Sequence, residues 1–368
     1  MSFVWKSLYF CASGRSLYGE RRRCLCGILA QQGGCMMELP EKIMLSQGGG
    51  GAASAALIEA EIVSRFAQNG ILAGLPDAAA LPEGMIFSTD SFVVTPRFFP
   101  GGNIGKLAVC GTVNDIIVSG GIPEYLSLAM ILEEGFSRKE LGEILDSVKE
   151  MADSEGVQIV TGDTKVVPAG AVDGVILNTA GIGFARKGIR LGREYLQSGD
   201  KIIVSGGIGE HGMAILAARH GISGAESDCA SLRKFADEAF RIAGQGVKLM
   251  RDPTRGGTGA VLTELLKGSS CGAFLEEEAI PVSEKVRTLC KMTGIDPLFV
   301  PCEGRMVAIV SPEFADEIVK SWKALPGGEL AAVIGTLDSN AEEIVLGGAW
   351  GGKRKLILPD GDPLPRIC

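Results

Sequence analysis

The sequence predicts an α+β fold in two domains, and three observations carry that reading. At 368 residues the chain has room for two domains of ordinary size. Hydrophobic residues make up 46% and charged ones 22%, which is ample for a core, and 52 glycines against 4 tyrosines mark many tight turns. Strand-like runs at 87–94, 126–132, 157–161 and 172–184 alternate with helical runs too irregularly for a simple doubly wound sheet. A net charge of −8 leaves no basic surplus to neutralise phosphates, which argues against nucleic acid as the main partner. No stretch approaches the roughly 20 apolar residues that cross a bilayer, so no membrane role is expected. The ten cysteines lack framework-like spacing and read as reduced thiols of a cytoplasmic protein.

Residues 1–41 stand apart. Lys6, Arg15, Arg21, Arg22 and Arg23 face the single acid Glu20 over the first 36, and the acidic, periodic body begins only afterwards. The segment reads as a disordered extension or as translation from an upstream start, not as a signal peptide, because its arginines follow the apolar run. The body opens with a short strand over 42–47, the run Gly48, Gly49, Gly50, Gly51 and a helix over 52–66. A glycine turn at a helix N-terminus offers converging backbone N–H groups to a phosphate. The Lys-Ser/Thr ending of a P-loop is missing.

Three aspartates follow in apolar settings. Asp90 interrupts the strand 85–94, Asp115 follows Asn114 in a helix over 104–118, and Asp163 closes the strand 157–161 ahead of Thr164 and Lys165. A carboxylate beside apolar strand residues is costly unless partnered, and oxygen ligands without Cys or His point to Mg²⁺ on phosphates rather than zinc. The second half starts near Gly188. A strand over 200–205 leads into Gly207-Ile208-Gly209-Glu210-His211-Gly212, a literal G-x-G-x-x-G before a helix over 213–220. A dinucleotide site also needs a second strand ending in an acid about 20 residues on. Residues 224–229 look like a turn instead, so a nicotinamide site is rejected, and His211 is expected to be structural. The loop Arg251-Asp252-Pro253-Thr254-Arg255-Gly256-Gly257 suits anion recognition. Cys302-Glu303-Gly304-Arg305 puts Glu303 at the entrance of a strand over 306–310. The chain closes on Pro363-Leu364-Pro365-Arg366-Ile367-Cys368, whose prolines favour extended backbone, so an arm carrying an exposed thiol is expected to project.

Several of these runs carry a family resemblance. Phe87-Ser88-Thr89-Asp90-Ser91, Phe98-Phe99-Pro100-Gly101-Gly102-Asn103-Ile104-Gly105-Lys106-Leu107, Val160-Thr161-Gly162-Asp163-Thr164-Lys165-Val166-Val167, the 251–257 loop and the final Pro365-Arg366-Ile367-Cys368 resemble the HypE family of hydrogenase maturation proteins. That family belongs to the superfamily of aminoimidazole ribonucleotide synthetase and selenophosphate synthetase, and the resemblance spans 42–368. It implies a two-domain fold: an ATP-binding and dimerisation domain over 42–187, whose sheet forms a barrel across a homodimer, and an α/β sandwich over 188–352. A C-terminal strand and mobile tail over 353–368 would complete the chain.

The resemblance also implies a reaction. A HypF-like carbamoyltransferase would place a carbamoyl group on Cys368, ATP would drive its dehydration to a thiocyanate, and the cyanide would pass to iron on a HypC–HypD complex. By the same resemblance Asp90, Asp115 and Asp163 would hold Mg²⁺ on the ATP phosphates, with Asn114 and Thr164 as further contacts. Glycines 48–51 would cover those phosphates, and Asp252 and Arg255 would organise the nucleotide or the tail. Glu303 would act as base and Lys165 as charge stabiliser. Two positions depart from the family: Gln47 stands where it usually has histidine, and Cys302 where it usually has asparagine. The alternatives are another ATP-dependent synthetase of the superfamily acting on a small molecule, and a carrier or docking protein without activity.

Overall fold

Two sheets with helices packed on them make up the fold, and one buried helix joins their cores. The structure, a computed structural model, describes residues 40–66, 70–72, 75–359, 364 and 366–368, so the expected N-terminal extension lies outside the described residues up to position 39. A 3-10 turn at Leu45–Gln47 precedes α1 (Gly51–Ile58), which runs on through a π-helical stretch at Glu59–Val63. There follow β1 (Ala79–Ala80), β2 (Met85–Phe92), the small ribbon β3 (Phe98–Phe99) with β4 (Gly102–Asn103), α2 (Ile104–Val118) and β5 (Gly121–Glu133). Helix α3 (Arg138–Glu155), β6 (Gln158–Val167) and β7 (Val175–Ala185) complete the first half.

The first sheet has the order β1-β2-β7-β5-β6. Only β5 and β6 run parallel, and α3 supplies the crossover that a parallel pair requires. Helix α2 lies under this sheet. Asn103 caps it, its Oδ1 accepting from the N–H groups of Gly105 (2.9 Å) and Lys106 (3.1 Å). The other face of the sheet is open. Phe87, Ile122, Tyr125, Ile131 and Phe184 share it by register and are each more than a third exposed.

The second half contributes β8 (Lys201–Val204), α4 (Glu210–Arg219), α5 (Arg233–Ala243), β9 (Val247–Arg251), α6 (Gly257–Leu266), β10 (Gly272–Glu276) and α7 (Glu284–Thr293). Next come β11 (Val307–Val310), α8 (Pro312–Lys323), β12 (Ala332–Asp338), β13 (Ile344–Gly347) and β14 (Lys353–Lys355). Their sheet has the order β14-β13-β10-β12-β8-β11-β9 and is covered on both faces. The period of two along β8 and β11 does this: Ile203, Ala308 and Val310 join Phe235, Phe240 and Trp322, while Ile202, Val204, Val307 and Ile309 join Leu262 and Leu265. Val109, Val113 and Ile117 of α2 belong to the first of these clusters and Ile104, Leu107 and Ala108 to a third, so α2 is apolar all round because both halves bury it.

Two expectations are corrected. Residues 45–47 form a 3-10 turn, not a strand, because the Gln47 side chain accepts the Met44 N–H (2.8 Å) and closes the turn on itself. The strand expected at 157–161 runs on to Val167, which puts Asp163 in mid-strand. Within the one chain both sheets stay open, and closure of the first across two copies lies beyond what a single chain contains. No helix among the described residues is long and apolar enough to cross a membrane.

Candidate active site

The ends of three elements bring carboxylates together. Asp77 precedes β1, Asp115 lies in the last turn of α2 and Asp252 directly follows β9. One ligand oxygen from each lies within 4.8 Å of the others. Ser88, buried on β2, donates to Asp115 Oδ2 at 2.5 Å, and Arg251 reaches Asp77 Oδ1 at 2.7 Å and Glu264 at 3.2 Å. Burial, only partly offset by Arg251, raises the Asp77 carboxyl to about 6. Burial and then the Asp77 charge raise Asp252 to about 7. Burial, then Asp252 and Asp77, push Asp115 well up. Asp90, on β2, is raised by burial and eased by Arg255. Oxygen donors that repel one another until they hold protons are the donor set a hard divalent cation relieves.

In the metal-free protein these raised carboxyls bind protons more tightly folded than unfolded. Their contribution to stability is therefore complete below the unfolded value of 3.8 and is lost as pH rises through about 6 and about 7. The melting temperature should fall between about pH 4 and about pH 7, and Mg²⁺ should restore it at the upper end. Asp115→Asn should gain about 1–2 kcal/mol at the upper pH without metal and lose the Mg²⁺ response. A variant that still melts higher with Mg²⁺ would place the cation elsewhere.

The glycine turn packs against the Arg255 loop. Gly50 has φ 84°, and a Cβ there would come within 3.1 Å of the Arg255 carbonyl carbon, so only glycine fits the approach. Ser54 Oγ donates to Gln47 O (2.6 Å) and accepts the Gly50 N–H (3.0 Å). Gln47 is thus spent on its own turn, and the departure from histidine leaves a self-capped loop at the N-terminus of α1. The negative charge at Cys368 is the strongest influence on the Arg255 guanidinium, raising it, and Asp90, Glu303 and Asp115 act in the same direction.

Glu303 is 2% exposed, and its Oε1 has no hydrogen-bond partner among the described residues. Its N–H donates to Asp228 Oδ1 at 3.1 Å, which fixes the loop. Burial pushes its carboxyl well up, and the charges of Cys229, Asp252 and Asp90 add to this. Cys302 turns the other way. Its Sγ accepts the Gly209 N–H at 3.0 Å in a different core cluster from Cys368, and burial pushes the thiol well up.

The tail is docked, which corrects the expectation of a projecting arm. Leu364 is 2% and Ile367 3% exposed, and Cys368 packs at the edge of the same cluster. The Val93 N–H donates to Cys368 O (3.0 Å) and the Thr95 N–H to Arg366 O (3.3 Å), so the last residues lie alongside the chain leaving β2. The G-x-G-x-x-G serves this packing. A Cβ on Gly212 would come 2.5 Å from Val300 and 3.1 Å from Leu364.

Other expected site residues stand elsewhere. Asp163 pairs by register with Ala129, Ala129 with Asn178 and Asn178 with Ser91. Asp163 is therefore three strand spacings from β2, about 14 Å, too far to share an ion with Asp90 and Asp115 in one chain. It lies on the exposed edge strand β6 with Thr164 and Lys165, and Lys165 Nζ reaches its carboxylate at 2.7 Å, holding that carboxyl low. Lys165 does not meet the buried Glu303. Asn114 is 1% exposed: its Nδ2 donates to Ala230 O (3.1 Å) and its Oδ1 accepts the Leu232 N–H (2.9 Å), so it clamps the 228–232 loop. Asp77, which sequence reasoning missed, sits in an irregular loop without periodicity or motif to flag it.

Residues 76–185 match the family described as AIR synthase related protein, N-terminal domain, and residues 197–347 match its C-terminal domain. Carbamoyl dehydratase HypE of Escherichia coli (strain K12) is 44% identical over 337 residues, covering 89% of this chain and 99% of that protein. Among solved structures, one from a HypE–HypF complex superposes with a TM-score of 0.79 at 39% identity, covering 83% of this chain and 100% of that one. A hydrogenase maturation protein HypE in complex with ATP superposes with a TM-score of 0.73 at 39% identity, covering 89% and 100%.

Proposed function

Because the chain belongs to the HypE family of carbamoyl dehydratases and carries both AIR synthase related domains, we propose that it dehydrates an S-carboxamide on its own Cys368 to a thiocyanate, with ATP as phosphoryl donor. The observation that carries this reading is the docked tail, which brings the charge of Cys368 to Arg255 beside Asp90 and Glu303. In this reading residues 42–187 bind ATP and dimerise, 188–352 frame the tail, and 353–368 present the substrate thiol.

An amide oxygen is a poor leaving group, so it must first be phosphorylated. The carboxamide oxygen on Cys368 attacks the γ-phosphorus and ADP leaves. Glu303 takes one proton from the nitrogen; the second is lost as the carbon–oxygen bond to phosphate breaks, leaving S–C≡N, ADP and phosphate. Such transfer is mostly positioning and charge neutralisation. Glycines 48–51 would cover the phosphates, and Asp77, Asp115 and Asp252, with Asp90 beside them, would hold Mg²⁺, which neutralises phosphate charge when bound. Arg255 faces the developing charge at the tail. A buried carboxyl with a raised pKa is a strong base once ionised, which suits Glu303 to the proton transfer. A HypF-like protein would charge the thiol, and iron on a HypC–HypD complex would receive the cyanide.

The test is intact-mass analysis after incubation with a HypF-like carbamoyltransferase, carbamoyl phosphate and ATP. A carbamoyl adduct on Cys368 that then loses one water is the expected result. An adduct that persists in the presence of ATP would overturn the reading.

We further propose a homodimer in which β6 of one copy completes the site of the other. The open apolar face of the first sheet and the exposed edge β6 support it, and closure into a barrel would cover both. Subunit mixing checks this. Lys165→Ala and Glu303→Gln proteins, each inactive alone, should recover about a quarter of wild-type activity when exchanged into hybrid dimers, since half the dimers are hybrids with one intact site. No recovery from exchanged hybrids would overturn the shared site.

A further inference from the structure

The tail is held through its main chain by one helix. His211, in the first turn of α4, is 0% exposed, and its Nε2 lies 2.8 Å from the Ile367 carbonyl. Its Nδ1 lies 2.8 Å from Ser227 Oγ. A carbonyl can only accept, so Nε2 carries the proton and Nδ1 accepts from the Ser227 hydroxyl, which itself accepts the Cys229 N–H at 3.0 Å. One neutral tautomer is thereby fixed and aimed at the tail. The ring stands edge-on to Phe99 at 5.4 Å between centroids. At the last turn of α4, Arg219 Nε donates to Thr95 O (2.7 Å) and Nη2 to Arg366 O (2.5 Å). A histidine buried for packing alone would find both partners in the fixed fold. Here one partner is the penultimate carbonyl of the segment that must come and go.

We infer that His211, oriented by Ser227, and Arg219 are positioning residues that latch the tail along the chain leaving β2 and set how long Cys368 stays in the active site. The inference rests on the reading of Cys368 as substrate. The latch reads backbone carbonyls, so it holds the tail in the same way whether the thiol is bare, carbamoylated or cyanated. Release then depends on competition for the tail by the next protein, not on the chemical state of the sulfur.

The variants are His211→Phe, which keeps ring volume against Phe99 without the donor, Arg219→Ala outside the core, and His211→Gln, which restores a donor. The readouts are the rate of Cys368 alkylation by iodoacetamide, followed by peptide mass, and the ATP-driven loss of water from the carbamoylated tail. Losing a latch bond should speed alkylation about five- to tenfold in His211→Phe and in Arg219→Ala, with Gln returning it towards wild type and ATP binding unaltered. Loss of water at saturating ATP should slow in parallel. Wild-type alkylation rates in both His211→Phe and Arg219→Ala would overturn the latch. Faster alkylation with an unaltered rate of water loss would overturn the claim that the latch sets how long Cys368 stays in the active site, whereas a wild-type tail that takes up no carbamoyl group would remove Cys368 from the reaction and leave the latch to stand on alkylation alone.

Discussion

Cys368→Ser is expected to reduce carbamoyl transfer and the ensuing ATP-driven loss of water to background, while the protein folds, melts and binds ATP as before. The reasons are chemical and structural. A serine hydroxyl is a far weaker nucleophile than a thiol near neutral pH, where part of a thiol population is already thiolate. The tail meanwhile is held by the carbonyls of Arg366, Ile367 and Cys368 and by buried Leu364 and Ile367, none of which the substitution touches. Its melting temperature should correspond to a change within about 0.5 kcal/mol. Ile367→Ala gives the contrasting case. It removes a buried side chain, so it should cost about 2–4 kcal/mol and loosen the tail without removing the nucleophile. A strongly destabilised Cys368→Ser protein would mean that the residue is structural, and the proposed reaction would fall with it.

Glu303→Gln should separate the two halves of the reaction. Charging of Cys368 needs only the thiol and proceeds, whereas loss of water should fall by about 10²–10⁴-fold because the amide cannot take the proton. In the parent protein the dehydration rate should rise with pH as Glu303 ionises, and in the variant that limb should disappear. Stability moves the opposite way. Burial raises the Glu303 carboxyl, so the parent loses stability as pH rises towards its folded value, and Gln does not. The variant should be as stable as the parent at acid pH and more stable at alkaline pH. Retained dehydration in Glu303→Gln would move the base to another group, with Asp228 behind the same loop the first to examine.

Much of the fold and part of the site could be read from residue order. Asp90, Asp115, Asp252 and Arg255 each sit in a run whose composition is odd for its place: a carboxylate inside an apolar strand or helix, or two guanidiniums ahead of a glycine pair. The structure gathers those four. Asp163 has the same local signature, but within one chain two intervening strands separate it from Asp90, and strand order is not written in a local pattern. Asp77 has no signature because a loop position acquires its role only when the chain ahead of β1 meets the end of β9, where Arg251 pairs with it. The tail failed as an expectation for a related reason. Its prolines describe the chain's stiffness, while the donors that fix it, on His211, Arg219, Val93 and Thr95, come from segments more than a hundred residues away.

Strand β6 also governs how the protein behaves in a tube. A lone chain presents the outward-pointing half of the main-chain groups of β6, a strand of ten residues paired only with β5, along one rim of its first sheet, next to a face bearing Phe87, Tyr125 and Phe184. Such a rim accepts any extended segment it meets, and repeated addition gives precipitate instead of a finite particle. In the homodimer proposed above this rim is capped, so apparent thermal stability should climb with protein concentration by mass action. Refolding from denaturant should yield most soluble material when dilution is slow enough for two folded chains to find each other before unfolded ones do.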